Sequence, residues 1–229
     1  IVEDGVAVGA ELEDRTSGER YEVRAHRGIV CADGLRTPQV LFASGIRPRA
    51  LGHHLNEHYQ MATMLMLNDE FDPARFETGP DAIGSVLVPY SDARPMQGGV
   101  IALAGSAYKM PGMTDAGMER LGVLAWYAAK DIRFDDAVEF SDTETDYYGM
   151  PKMRIRYSRT ARDLETIEQM RENSLRSGER IGTLLDAPEL AVGGSSLHYQ
   201  GTVRMGAADD GASVCDPQLR VWGVENLYV

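Results

Sequence analysis

Ser195-Ser196-Leu197-His198-Tyr199-Gln200-Gly201-Thr202-Val203-Arg204-Met205-Gly206 is the stretch on which the reading of this chain turns. One histidine stands in a run of small and polar residues, with glycines following at 201 and 206. An imidazole titrates near neutral pH and is the commonest general base, although a histidine beside an apolar residue more often serves structure than chemistry. Glycines at 201 and 206 would let the backbone approach a ligand closely. The stretch therefore reads as a loop that carries a candidate base, His198.

Upstream of that loop lies the clearest helix, read over 160–185. Thr160 and Asp163 make a capping-box pattern, and Leu164, Ile167, Leu175, Ile181, Leu184 and Leu185 fall at helical spacing. Downstream, residues 190–229 read as loop, a Gly-rich stretch and a final strand at Asn226-Leu227-Tyr228-Val229. The region 58–157 has strand character. Met61 to Met66, Val86 to Val88, Val100 to Ala104, Leu121 to Tyr127 and Met153 to Tyr157 are short apolar or alternating runs between Asp, Gly and Pro turns, as one broad antiparallel sheet would require.

Residues 1–30 read as a small antiparallel unit, with Val6, Val8 and Ala10 alternating before a turn at Asp14–Gly18 and Tyr21–Ala25 alternating after it. Gly28-Ile29-Val30-Cys31-Ala32 is a continuous apolar run, expected of a strand buried on both faces, with Cys31 as a small buried hydrophobe. A helix is expected to start at Thr37-Pro38, to turn Val40, Leu41 and Ala43 inward, and to stop at Gly45.

The composition narrows the function classes. With 43% hydrophobic and 25% charged residues the chain reads as an ordinary globular protein. Twenty-three basic against thirty-five acidic side chains give a net charge of -12, which repels phosphate backbones and anionic headgroups, so neither nucleic acid nor a membrane surface is expected as a partner. No apolar run approaches the ~20 residues of a membrane span. The two cysteines, Cys31 and Cys215, are expected as reduced thiols in a cytoplasmic protein. The chain starts and stops inside strand-like segments, which reads as part of a longer polypeptide.

Other candidate sites have plainer explanations. His53, His54 and His58 with Glu57 suggest a metal, but the zinc-protease order needs Glu directly after the first His, where Leu55 follows His54 and His54 follows His53, so no metal is expected. Asp135-Asp136 and the run Asp142, Glu144, Asp146 read as solvated turns in so acidic a chain. No GxGxxG occurs, so the nucleotide-binding hallmark is absent.

His198-x-x-Gly201-Thr202-x-x-Met205-Gly206, followed by Cys215-Asp216-Pro217-Gln218-Leu219-Arg220-Val221-Trp222-Gly223-Val224-Glu225-Asn226-Leu227, closely resembles the carboxy-terminal signature of the glucose–methanol–choline (GMC) flavoprotein oxidoreductases. A second block agrees: Ile29 through Leu41, then Ala43-Ser44-Gly45-Ile46, and Leu51-Gly52 through Asn56-Glu57-His58. It departs from the usual Ala-Gly-Ala by having Ala32-Asp33-Gly34. Phe140-Ser141-Asp142, Asp146 and Tyr148-Gly149-Met150-Pro151 narrow the resemblance to the pyranose oxidase and bacterial C-glycoside 3-oxidase branch.

The resemblance implies an α+β and α/β architecture: part of an FAD-binding Rossmann-like domain at 1–58 and 191–229, and a substrate domain of a large antiparallel sheet backed by helices at 59–190. It implies FAD as cofactor, with Ala32, Asp33 and Gly34 at it, and Gln97 and His198 at the sugar. It further implies oxidation of a C2 or C3 hydroxyl of a pyranose sugar or glycoside, with hydride to flavin and the proton to His198, and oxygen or a quinone as electron acceptor. Homo-oligomers are common in this branch. The family's pyrophosphate-binding βαβ unit is not in this chain, so the chain by itself is expected neither to hold FAD nor to turn over substrate without the missing N-terminal and C-terminal segments. Two other readings remain: a GMC enzyme for a non-sugar alcohol, and a non-catalytic sugar-binding subunit that kept the fold.

Overall fold

Turns at Asp4-Gly5 and Asp14–Gly18 break the start of the chain into hairpins in the computed structural model, which describes residues 1–71, 85–103 and 110–229. Strand β1 (Val2–Glu3) returns as β2 (Val6–Ala7), β3 (Gly9–Glu13) pairs with β4 (Arg20–Arg24), and β5 (Gly28–Ile29) leads into helix α1 (Asp33–Ala43). Then follow β6 (Tyr59–Leu67), β7 (Ser85–Val88), β8 (Met96–Ala102), the short α2 (Asp115–Glu119), β9 (Leu121–Ala128) and the hairpin β10 (Ala137–Thr145) and β11 (Pro151–Arg156). The chain ends with the long α3 (Ala161–Ile181), β12 (Gly182–Leu184), β13 (Glu189–Leu190) and β14 (Leu227–Tyr228). Ala104, read from sequence as the end of a strand, lies outside the described residues.

These elements gather into two compact units: Ile1–Asn56, Ile132–Ser158 and Tyr199–Val229 form the first, and Glu57–Asp131 and Arg159–His198 the second.

In the first unit β14 lies parallel to β5, and the side chain of Asn226 binds the strands on either side. Its Oδ1 accepts from Ala7 N at 2.7 Å, and its Nδ2 donates to Ala7 O at 2.8 Å and His26 O at 2.7 Å. One amide thus satisfies three backbone groups on two separate segments, which is why an Asn stands where the strand begins. Leu41 of α1 is buried with Ile46, Ala50, Leu51, Val214, Val221, Val224 and Leu227 in one apolar cluster.

Three expectations are corrected in this unit. The run Gly28–Ala32 is not buried on both faces: Ile29 is 71% exposed and Cys31 is exposed, because β5 has a strand partner in β14 only among the described residues. Helix α1 starts at Asp33, not at Thr37, and carries Pro38 inside it. A proline there lacks the N–H that would bond the carbonyl four residues back; that carbonyl, Gly34 O, instead accepts the hydroxyl of buried Thr202 at 2.5 Å. The hairpin β10–β11 is a sheet of its own rather than the continuation of one broad sheet. It is fastened to α1 by Gln39, whose Nε2 donates to Pro151 O at 2.7 Å, and by the ion pair Arg36–Asp146 at 2.8 Å.

The second unit is built on strand alternation. Along β6 Tyr59, Met61, Thr63, Leu65 and Leu67 are buried while the residues between them are half-buried. An antiparallel sheet of six strands results, in the order β12-β6-β9-β8-β7 with β13 also on β6. Its inward face, with Met96, Leu124 and Trp126, packs on Ile167 and Met170 of α3.

Helix α3 begins as the sequence indicates. Thr160 Oγ1 accepts from Asp163 N, and the Asp163 carboxylate accepts from Thr160 N at 2.8 Å. Its end and its buried face differ from expectation. The helix stops at Ile181, and Leu184, read as helical, lies in β12 against Leu65 of β6. Glycine makes the reversal feasible: a Cβ on Gly182 would lie 2.2 Å from Met66 O, and one on Gly178 would lie 2.3 Å from Leu184 Cδ2. The buried face of α3 is Asp163, Thr166, Ile167, Met170, Ser174 and Gly178, while Leu164 is 55% exposed and Leu175 39% exposed.

Candidate functional site

His198 is the last residue of the second unit, and its placement is built from the start of β6. Strand β13 runs antiparallel to β6, with Ala191 N donating to Gln60 O at 2.8 Å, and then turns into the loop 192–198. Buried Glu57, just before β6, holds that loop. Its carboxylate accepts from Gly194 N at 2.7 Å, Ser196 N at 3.0 Å and Ser196 Oγ at 2.6 Å. A buried carboxylate is costly unless hydrogen-bonded, and these donors compensate it. Ser196 Oγ in turn accepts from His198 N at 3.1 Å.

The residue between them is strained. Leu197 has φ 59° and is 73% exposed, a left-handed conformation unusual for a branched side chain. Such strain persists where surrounding bonds over-determine the backbone, and it concentrates at functional sites. Its effect is to turn the His198 ring to His58, with Nδ1 of His198 2.7 Å from Nε2 of His58. The His58 ring meets Tyr127 edge to face at 5.1 Å. His198 itself is exposed.

Gln97, the other side chain marked for substrate, lies exposed on β8 directly opposite Tyr127 of β9, which is in turn opposite Gln60 of β6. Directly paired residues share a face, so Gln60, Tyr127 and Gln97 form one polar row on the face away from α3. The second unit thus brings Gln97 onto the row that includes Tyr127, the ring His58 touches. Glu57, His58 and Tyr127 were missed as the residues around His198 and its loop. The signal available was the run Asn56-Glu57-His58, read as a doubtful metal cluster and as part of the second family block.

Ala32, Asp33 and Gly34 lie in the first unit, at the turn from β5 into α1. Asp33 has φ 68°, and its carboxylate accepts from Leu35 N at 2.6 Å and Arg36 N at 3.0 Å. The helix start is therefore occupied by its own negative charge and does not fit a pyrophosphate. It does fit a neutral, hydroxyl-bearing or flat portion of a dinucleotide: Ala32 and Gly34 present little side chain, and the exposed Asp33 carboxylate can accept from a hydroxyl.

The glycines of the signature correct another expectation. They admit close packing of protein, not of ligand. A Cβ on Gly201, at φ 92°, would lie 2.0 Å from His54 O, and one on Gly206 would lie 2.5 Å from Ser213 Oγ. Likewise a Cβ on Gly34 would lie 2.9 Å from Tyr199 O.

Two further histidines, His53 and His54, are held within the first unit. His53 stacks on Phe134 at 3.9 Å with Nδ1 2.8 Å from Phe134 O, and His54 Nε2 lies 3.2 Å from Arg204. Burial foremost, then the Arg204 charge and His53, lower the pKa of His54. Among the described residues no group of three His, Cys, Asp or Glu could hold a metal ion. Both cysteines are free, and burial, with Asp216 beside it, raises the Cys215 pKa. No helix among the described residues is long and apolar enough to cross a membrane.

Residues 137–229 match the GMC oxidoreductase family profile. A C-glycoside 3-oxidase of Microbacterium trichothecenolyticum is 43% identical over 100% of this chain and 46% of its own length. A pyranose 2-oxidase of Emericella nidulans is 26% identical over 92% of this chain and 43% of its own length. The chain spans about half the length of the curated relatives it matches. Among solved structures, a formate oxidase of Aspergillus oryzae superposes with a TM-score of 0.66 at 16% identity, covering 99% of this chain and 52% of that one, which is a likeness of fold.

Proposed function

We propose that this chain, whose residues 137–229 match the GMC oxidoreductase family profile, is the substrate side of an FAD-dependent enzyme of that family, one that oxidises a secondary hydroxyl of a pyranose sugar or glycoside, at C3 or C2, to the ketone. The observation that supports the chemistry is the exposed His198 imidazole, held by its backbone and by one ring nitrogen while no bond from Nε2 is found among the described residues. The higher identity to a C-glycoside 3-oxidase than to a pyranose 2-oxidase favours C3.

His198 Nε2 accepts the hydroxyl proton of the substrate, and the carbon that bore the hydroxyl loses a hydride. FAD, when bound, supplies the hydride acceptor, and oxygen or a quinone then takes the electrons from it. Within this chain the turn Ala32, Asp33 and Gly34 would hold a neutral part of that cofactor, as part of a Rossmann-like domain with 1–58 and 191–229. Residues 59–190 are assigned to the substrate domain, although within that span Ile132–Ser158 cluster with the first unit. Gln97 hydrogen-bonds sugar hydroxyls in this reading, which its exposure in the row with Tyr127 supports.

His198→Ala in the FAD-loaded protein tests the role. A positioned base contributes ~10²–10⁴-fold, so turnover is expected to fall by that order while sugar binding and thermal stability persist. An unchanged rate would remove His198 from the mechanism.

A further inference from the structure

Glu57 and His58 are neighbours in sequence, and both reach the loop of His198, one to its backbone and the other to its ring. Two imidazoles with nitrogens 2.7 Å apart share one proton between them, and the direction of sharing decides what the outer nitrogen of His198 can do. If His58 Nε2–H donates, neutral His198 carries its own proton on Nε2 and has no lone pair there to offer. If His198 Nδ1–H donates, Nε2 is free to accept. Only the second arrangement makes a base, and it alone survives proton uptake, since an imidazolium has a proton on both nitrogens.

We propose that His58 is the positioning residue for His198: it accepts the hydrogen bond from His198 Nδ1, so fixing the tautomer whose Nε2 takes the substrate proton. This rests on the reading of His198 as the base. His58 must then carry its own proton on Nδ1, an atom that is buried and has no partner among the described residues. That atom lacks a partner whichever way the shared proton points, so the proposal stands on the contact between the two rings and on the role of Nε2. The geometry around the pair keeps it in register. The Glu57 carboxylate fixes Gly194 and Ser196, Ser196 fixes the His198 amide, and Tyr127 stands at the His58 ring. Among the described residues, Glu57, itself bonded to the loop, and the phenol Tyr127 stand against the pair.

The tautomer can be read directly by 15N resonances of the imidazoles in the FAD-loaded protein. Expected is His198 protonated at Nδ1 and not at Nε2; the opposite tautomer overturns the proposal without any variant. His58→Phe keeps ring volume and removes the acceptor, and is expected to shift His198 toward the Nε2–H tautomer. It should lower kcat on the order of 10- to 100-fold, part of what a general base supplies, with KM nearly unchanged. His58→Gln offers a carbonyl that can accept from Nδ1–H, and is expected to restore most of the rate.

If Phe and Gln lose rate alike, or if His58→Phe leaves tautomer and kcat untouched while His198→Ala abolishes turnover, the His58 role fails and the base assignment stands. If His198→Ala leaves turnover intact, the base reading itself fails, a result separable from the first two.

Discussion

The two halves of one short stretch, Ser195–His198 and Tyr199–Gly206, use similar residues for opposite ends. In the second half every special residue is spent on packing. Gly201 lets the chain lie on His54 O, Thr202 supplies the bond that Pro38 cannot, and Gly206 makes room for Ser213. In the first half the packing belongs to Glu57, and its product is an exposed ring on a strained backbone at Leu197. A signature can therefore hold together a fold and a reaction, and its letters alone do not say which residue does which. Damage to the second half should appear as lost stability, and damage to the first as lost rate.

The strongest test of this contrast is Gly201→Ala. A methyl 2.0 Å from a backbone oxygen, at a φ of 92°, has no flexible side chain to displace. The cost is expected to exceed ~3 kcal/mol, seen as loss of folded protein or a large fall in Tm. A near-normal Tm would break the claim that this glycine is structural. Thr202→Val comes next. It leaves Gly34 O without its hydroxyl donor, and an unsatisfied buried acceptor costs ~1–3 kcal/mol, measurable by denaturant unfolding. His198→Ala belongs on the other side of the comparison: the rate falls while the unfolding midpoint stays within ~0.5 kcal/mol of the parent, as for surface substitutions.

The smallest effect concerns the first unit alone. The Arg36 guanidinium beside Asp146, followed by the Gln39 and backbone bonds, lowers that carboxyl to about 2. A carboxyl lowered on folding stabilises the fold above its ordinary value of 3.8, and the contribution is lost as pH falls toward about 2. Asp146→Asn should therefore lower Tm slightly near neutral pH, and the gap from the parent should close across that window. A gap that stays constant with pH would mean that charge at Asp146 contributes nothing.

Much of the fold was legible because it is local. The Thr160–Asp163 box needs only residues three apart, and the alternation of Tyr59–Leu67 needs only one strand. The end of α3 was not legible. Leu184 and Leu185 keep helical spacing, and the decision to leave the helix depends on β6 offering Gly182 and Leu184 a ladder. The start of α1 was missed for a similar reason, since Pro38 looks like a first-turn residue until Thr202 is seen to take its place at Gly34 O. Exposure of Cys31 was missed too, because an apolar run does not tell how many neighbours its strand has.

At the candidate site, the signature singled out His198 and the resemblance Gln97, and the structure leaves both exposed. His58 and Glu57 were visible as residues but not as partners. By itself the sequence determined caps, strand alternation, acidic charge and the signature motif, all properties carried by neighbours along the chain. Only the tertiary structure decided which histidine meets which, because His58 and His198 stand 140 residues apart and nothing short of sheet pairing brings two such rings to hydrogen-bond distance. Direction of a hydrogen bond is a property of a pair, and a pair this distant in sequence exists only once the chain has folded.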